Sequence, residues 1–358
     1  MRKDSGSSIL YIAYPLLPVS DASAGGAEQI LWSLEQEMAL RGHNTAVAAC
    51  ESSSVRGKLL ATGHAPKSDD SFDERESEHT RKILEFVEKR GFSLIHDHSG
   101  HFFRHAERVD VPVLATLHLP RGVYADSMFS SLPHNVYFNC VSDTQMASFR
   151  DLPRMMGVVQ NGIAVESFPY AAKKDNYLLW LGRICPEKAP HLAIEAAKRA
   201  GMRLVLAGQV YPFSYHRLYF EKEVRPMLEA ADSNVTFVEA PTFREKVQLL
   251  RCAKALVVTS LAPETSSLVA LEAGACGTPV VAFRNGALPE IIEHGHTGFT
   301  VRTREAMVAA IHDVSEIWPS ECRHRVETKF SSKTMADAYE RVYGAVLDES
   351  RELVFRAA

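Results

Sequence analysis

Two glutamates eight residues apart, Glu264 and Glu272, stand in the otherwise apolar stretch APETSSLVALEAGACGTPVVAF at 262–283. Taken alone they read as a pair of solvated charges, or as ligand-facing carboxylates where a loop opens into a helix. Arg183 and Lys188, five residues apart in LGRICPEKAP, suit a diphosphate: Arg offers a bidentate fork and Lys a point charge. Two basic residues on a surface loop are the plain alternative. Gly25 and Gly26 open an amphipathic helix after a small-residue loop, and exposed N–H groups at such a junction attract anions. His118 closes VPVLATLH, and His96 and His98 close SLIHDH. Carboxyl ends of parallel strands are where open α/β sheets bind ligands, so at least one of these imidazoles is expected to act on a ligand. In NGALPE, Gly286 and Ala287 form a turn whose amides are expected to be available beside Glu290. The histidine spacing matches no metal signature, and neither GxGxxG nor GxxxxGK[ST] occurs. A dinucleotide dehydrogenase and a P-loop NTPase are thereby disfavoured.

These residues need a scaffold that places several strand ends side by side. Short, nearly unbroken apolar runs fall at 9–15, 44–50, 93–98, 111–118, 136–142 and 157–162, and again at 176–183, 202–208, 234–240, 254–260, 278–283 and 297–301. Helical patterns lie between them, at 26–41 and 76–90, then 188–200, 214–231, 243–252 and 267–276. Unbroken apolar strands alternating with helices indicate parallel sheets covered on both faces. Twelve strands in two sets predict two doubly wound, Rossmann-like domains. The boundary falls in the aperiodic 161–176, giving domains of 1–165 and 166–330, with a helix from 331 that could cross back to the first. The polar stretch 51–76 is expected to be a surface loop.

Composition fits an ordinary globular enzyme: 358 residues, 46% hydrophobic, 23% charged, net charge −4. Mild acidity without clustered Lys and Arg speaks against nucleic acid as a partner. Six scattered cysteines without CxxC spacing are expected as free thiols rather than disulfides or zinc ligands. The short apolar segment near the N-terminus and the lack of an 18-residue apolar span predict a cytoplasmic protein, with room for peripheral attachment to a membrane surface.

With these residues in view, the chain resembles the retaining glycosyltransferases of family 4, which have the GT-B fold. The resemblance rests on Gly25-Gly26 with Glu28, on His118, VVQNGI, LGRICPEKAP, Glu264-x7-Glu272, EAGACGTPVVA and GALPEIIEHGHTGF, and covers nearly the whole chain. It implies a donor nucleotide held by the C-terminal domain and an acceptor approaching from the N-terminal one. Arg183 and Lys188, after Gly182, would hold the diphosphate and offset charge on the leaving nucleotide, with neither metal nor cofactor. Glu272 would accept from the ribose hydroxyls. Glu264 would contact the sugar together with the amides of Thr265, Ser266, Ser267 and Leu268. His118 would bind the sugar, Gly25 and Gly26 would let the first loop close over the diphosphate and acceptor, and the base would lie near 238–242. Where the family often shows E-x-F-G, this chain has Glu264-Thr265-Ser266-Ser267, which alters the sugar subsite and offers the helix an N-cap.

The implied reaction transfers a hexose from a nucleoside diphosphate sugar, UDP-sugar first and GDP-sugar second, to a carbohydrate, lipid or small-molecule acceptor with retention. A sugar-nucleotide 2-epimerase of the same architecture and a catalytically degenerate nucleotide-sugar-binding protein are the competing readings. Tyr124, Phe129 and Tyr137 are either sugar-stacking rings or core.

Overall fold

The computed structural model describes residues 6–21, 23, 25–65, 72–230 and 234–357. The chain forms two compact units, one of residues 1–162 with 332–358 and one of residues 163–331.

The first unit carries seven strands: β1 (Ser8–Ile12), β2 (Asn44–Cys50), β3 (Lys58–Gly63), β4 (Leu94–Asp97), β5 (Val113–Leu117), β6 (Val136–Cys140) and β7 (Met155–Val158). All pair parallel in the order β3-β2-β1-β4-β5-β6-β7. Its helices are α1 (Gly26–Leu40), α2 (Phe72–Glu88) and the short α3 (Asp143–Met146). The second unit has β8 (Tyr177–Arg183), β9 (Arg203–Gln209), β10 (Val235–Glu239), β11 (Ala255–Val258), β12 (Val280–Phe283) and β13 (Gly298–Val301). These also pair parallel, in the order β10-β9-β8-β11-β12-β13. Between them run α4 (Pro190–Arg199), α5 (Ser214–Tyr219), α6 (Arg225–Glu229), α7 (Phe243–Cys252), α8 (Leu268–Ala275), α9 (Leu288–Ile291), α10 (Arg304–Asp313) and α11 (Pro319–Lys329). The 26-residue α12 (Ser332–Ala357) belongs to the first unit.

Apolar runs become strands here because both sheet faces are covered. Alternate residues point to opposite faces, so Leu179 joins a core with Leu256 and Ala282, while Leu178 and Trp180 join another with Val257 and Val281. In each sheet the strand order reverses once, between β1 and β4 and between β8 and β11. Loops diverge at such a reversal and leave a crevice at the carboxyl ends of the strands.

Helix α12 is held to the first unit by charge and by burial. Arg41 Nη1 lies 2.7 Å from Asp337 Oδ1 and 2.6 Å from Glu340 Oε2, and Ser332 Oγ donates to Glu37 at 3.0 Å. Tyr339 and Tyr343 are buried. The chain enters the second unit at Ile163 and leaves it at Ser331, and these two residues form a parallel bridge.

Three expectations differ from the structure. Residues 51–76 are not one loop: β3 forms the sheet edge within them and α2 starts at Phe72, while 66–71 lie outside the described residues. The edge strand has only one buried residue, so its pattern is weak. Its approach is fixed by buried Glu35, which accepts from Gly57 N at 2.7 Å, Arg56 N at 3.0 Å and Thr45 Oγ1 at 2.7 Å. The run expected at 157–162 pairs only as Met155–Val158. The helix expected at 214–231 breaks into α5, a π-helical turn at Phe220–Val224 and α6. Pro226 explains the break, because it lacks an N–H and its ring crowds the carbonyl four residues back. Among the described residues no helix is long and apolar enough to cross a membrane.

Candidate active site

In the second unit the site residues collect at the carboxyl ends of β8 and β11, the two strands that flank the reversal. Gly182 and exposed Arg183 end β8. Gly182 closes on its neighbour strand so tightly that a Cβ on Gly208 would sit 1.9 Å from its carbonyl oxygen. The following turn is held by backbone hydrogen bonds. Lys188 N and Ala189 N both donate to Cys185 O, at 3.2 and 3.1 Å, and Ala189 is left-handed with φ +47°. Leu261 N donates to Glu187 O at 2.8 Å, and Thr259 Oγ1 sits 3.0 Å from Lys188 O while accepting from Trp180 Nε1 at 3.0 Å. The segment after β11 is thus stitched to the turn that carries Lys188.

Across that seam Lys188 Nζ reaches Glu264 Oε1 at 2.5 Å, and Ser260 Oγ donates to the same oxygen. Glu264 is also pinned through its backbone: Ala287 N donates to its carbonyl at 2.7 Å, and Gly286 (φ +54°) lies so close that a Cβ would meet Glu264 O at 2.1 Å. The Ala287 amide is therefore engaged by Glu264, contrary to the expectation that it stands available to a ligand. Thr265, Ser266 and Leu268 are half-buried and Ser267 is buried. Ser267 occupies the N-cap of α8, but its hydroxyl makes no capping bond, so the expected cap is a matter of position alone. The Ser267 carbonyl accepts from Ala270 N and Leu271 N, each at 3.1 Å, and so starts the helix.

Glu272 lies within α8 and is 3% exposed. Its Oε1 accepts from Lys246 Nζ at 2.6 Å, whereas Oε2 has no partner among the described residues. Burial raises its pKa and the facing Lys246 opposes the rise. Lys246 projects from α7, whose start is a capping box between Thr242 and Glu245, and its ammonium sits 5.1 Å from the Phe243 ring. Nothing in the sequence marks Lys246, because a lysine on an amphipathic helix is most often solvated.

In the first unit Gly25 is the N-cap of α1 and exposed Gly26 its first residue, while residues 22 and 24 of the preceding loop lie outside the described residues. A Cβ on Gly25 would stand 1.9 Å from Glu28 Oε2, so glycine is what leaves room for this carboxylate against the helix N-cap. Glu28 is 5% exposed, and burial pushes its pKa up to about 7 despite its place in the first helical turn. The sequence associates Glu28 with the glycines, yet its carboxyl chemistry comes only from burial.

His118 follows β5 and is buried. The three histidines singled out by their strand ends form one chain. His118 Nε2 and His98 Nδ1 share a hydrogen bond of 2.9 Å, with the rings stacked 5.1 Å apart. His98 Nε2 lies 3.3 Å from His96 Nδ1, and His96 meets Tyr343 Oη and Thr116 Oγ1, each at 2.7 Å. Burial pushes the His118 pKa down to about 4, so near pH 7 the ring is neutral. Tyr124 and Tyr137 are buried, and Phe129 packs on Phe103, Phe138 and Phe149. The aromatics thus serve as core.

Two parallel-sheet Rossmann-like domains define the class, the GT-B fold. Among solved structures the chain is similar to sucrose-phosphate synthase of Thermosynechococcus elongatus (TM-score 0.78, 19% identity, covering 98% of this chain and 100% of that one). It is also similar to HepE of Anabaena in complex with UDP and glucose (TM-score 0.75, 16% identity, 94% and 99%). At sequence level residues 165–329 match the model of the glycosyl transferases group 1. A D-inositol 3-phosphate glycosyltransferase of Mycobacteroides abscessus is 36% identical over 130 residues, which are 36% of this chain and 29% of that protein. A glycogen synthase of Mycobacterium tuberculosis is 28% identical over 281 residues, 69% of this chain and 66% of its own length. The matches therefore span less than two thirds of these relatives. The likeness to the glycosyl transferases group 1 thus rests on residues 165–329, and the GT-B fold extends over the two units.

Proposed function

We propose that this protein transfers a hexosyl group from a nucleoside diphosphate sugar, a UDP-sugar before a GDP-sugar, to a hydroxyl acceptor with retention at the anomeric carbon. The observation that carries the reading is the Glu272 carboxylate, buried in α8 with one oxygen engaged by Lys246 and the other unpartnered. A buried carboxylate keeps its charge only with donors around it, and the vicinal hydroxyls of a ribose are suitable donors. Lys188 has three N–H donors, so it can hold Glu264 and offer others to a diphosphate. Arg183, exposed on the neighbouring strand end, adds a fork. Together they would stabilise the leaving diphosphate without calling on a metal. Neutral His118 would give or accept one hydrogen bond to the sugar, and its histidine chain would fix the ring's tautomer. The names of the similar glycosyltransferases support the same reading.

The test offers UDP-, GDP- and ADP-hexoses with an acceptor array and follows product anomeric configuration by NMR. Retained configuration, with turnover lost in Glu264→Ala, is the expected result. Inverted product, or conversion of donor to its 2-epimer without acceptor, would replace the reading. Nucleotide binding with no turnover of any donor would leave only a binding protein.

A further inference from the structure

Beside the turn that carries Lys188, the side chains of Cys185, Glu187 and His216 bring a sulfur, a carboxylate oxygen and an imidazole nitrogen within 4.8 Å of one another. Cys185 is buried and Glu187 exposed at the rim. His216 is fully buried in α5, and neither of its ring nitrogens has a hydrogen-bond partner among the described residues. Leaving a buried polar group unsatisfied costs free energy that native structures avoid. The rings around it, Tyr215 at 4.2 Å and Phe213 at 5.3 Å, meet it at steep interplanar angles. The imidazole is thus a buried donor atom without an assigned occupant.

The cluster is also preformed. Cys185 O holds the amides of Lys188 and Ala189, and Glu187 O holds Leu261 N. Strands β8 and β9 are adjacent in register, with Arg183 opposite Gln209, and they deliver the turn and α5 to the same end of the sheet.

We propose that Cys185 Sγ, the Glu187 carboxylate and His216 bind a transition-metal dication of the zinc class, with water in the fourth position. Thiolate, imidazole and carboxylate are a zinc-type donor set, whereas magnesium and calcium take oxygen alone. Ligand atoms around a tetrahedral zinc stand about 3.5 Å apart, so side-chain rotations that carry them about one ångström inward close the site. Binding exchanges the Cys185 S–H proton, released to solvent, for a sulfur–metal bond. The thiolate and carboxylate offset the two positive charges, and Arg183 is the cation that faces the cluster. The bound ion would tie the Arg183–Lys188 turn to α5. The proposal stands on this cluster alone and does not depend on the donor sugar. A Cys-x-Glu with a distant His matches no local zinc signature, which is why the sequence offers no pointer to it.

Titration of the metal-free full chain with Co(II) tests it. The expected result is a thiolate-to-cobalt charge-transfer band with tetrahedral d–d absorption, saturating at one ion per chain and bleached by Zn(II). Cys185→Ser should abolish the charge-transfer band, and His216→Ala should weaken affinity at least tenfold, with circular dichroism reporting the fold. Should His216→Ala not fold, Glu187→Gln at the exposed rim should show the same weakening. Absence of the band in the wild type, its persistence in Cys185→Ser, or unchanged affinity in Glu187→Gln and a folded His216→Ala would overturn the proposal.

Discussion

Glu272 and Glu28 are both buried carboxylates, and their surroundings give them opposite uses. Glu272 faces Lys246, which opposes the rise in pKa that burial causes, and its Oε2 is without a partner among the described residues. Replacing it with Gln keeps the shape but forfeits the charge, and a hydrogen bond to a charged group contributes about 1.5–3 kcal/mol. Glu272→Gln should therefore weaken nucleoside diphosphate binding by about 10- to 100-fold, measured by calorimetric titration, and unchanged affinity would remove Glu272 from the ribose subsite. At Glu28 burial dominates and carries the pKa from 4.5 to about 7. The sign follows from proton counting. Between those values the folded chain binds the proton more tightly than the unfolded one, so stability falls as pH rises from about 4.5 to about 7. The loss amounts to about 3 kcal/mol above that window. Glu28→Gln should flatten this segment of the stability-against-pH curve and raise the melting temperature at pH 8. An unchanged slope in urea titrations across pH 5–8 would show that Glu28 does not titrate there.

At the scale of elements, the loop between β12 and α9 acts as a wedge that sets Glu264. Gly286 has φ +54°, and its missing Cβ is what lets the loop backbone reach Glu264. Gly286→Ala introduces strain of about 1–3 kcal/mol at a left-handed position and forces the Glu264 backbone to move. We expect kcat to drop at least tenfold with a smaller change in nucleotide affinity, because Glu272 lies on a different element. Equal losses in both would mean that the whole segment from β11 to α8 had collapsed. This loop also shows what the sequence could and could not reveal. Strand runs and helix repeats were readable because each unit buries its sheet on both faces, which forces unbroken apolar strands. Gly25, His118 and Arg183 were readable at a helix start or a strand end, Lys188 and Glu264 in the turns beyond strand ends, and Glu272 within a helix. What stayed hidden are the relations that depend on contacts across the chain: Lys246 under Glu272, Lys188 on Glu264, and the engaged amide of Ala287. Edge strand β3 was hidden for a related reason. It is held by the Glu35 carboxylate rather than by an apolar pattern, and a buried acid is indistinguishable from a surface one until its partners are known.

For the whole molecule the informative feature is that the polypeptide crosses between its units twice, at Gly162–Ile163 and at Ser331–Ser332. Residues 163–331 form a continuous insertion with their own cores, whereas the first unit needs the chain's end. Helix α12 supplies Tyr339 and Tyr343 to a buried network with Thr116, Asn139 and His96. Deleting residues 332–358 would leave His96 and Thr116 short of those partners and uncover the apolar side of α12's seat. Each unsatisfied buried polar group costs about 1–3 kcal/mol, and stabilities of whole domains are only about 5–15 kcal/mol. The truncated chain should therefore lose the first unit's cooperative unfolding transition in calorimetry while the transition of residues 163–331 persists. A fragment of 163–331 alone should fold and bind the nucleotide with little loss, since Arg183, Lys188, Glu264 and Glu272 all lie within it. It should not transfer sugar, because His118 is absent. Loss of nucleotide binding in a folded 163–331 fragment would show that the first unit contributes to the nucleotide subsite, and survival of the first unit's transition without α12 would show that the tyrosine network is dispensable.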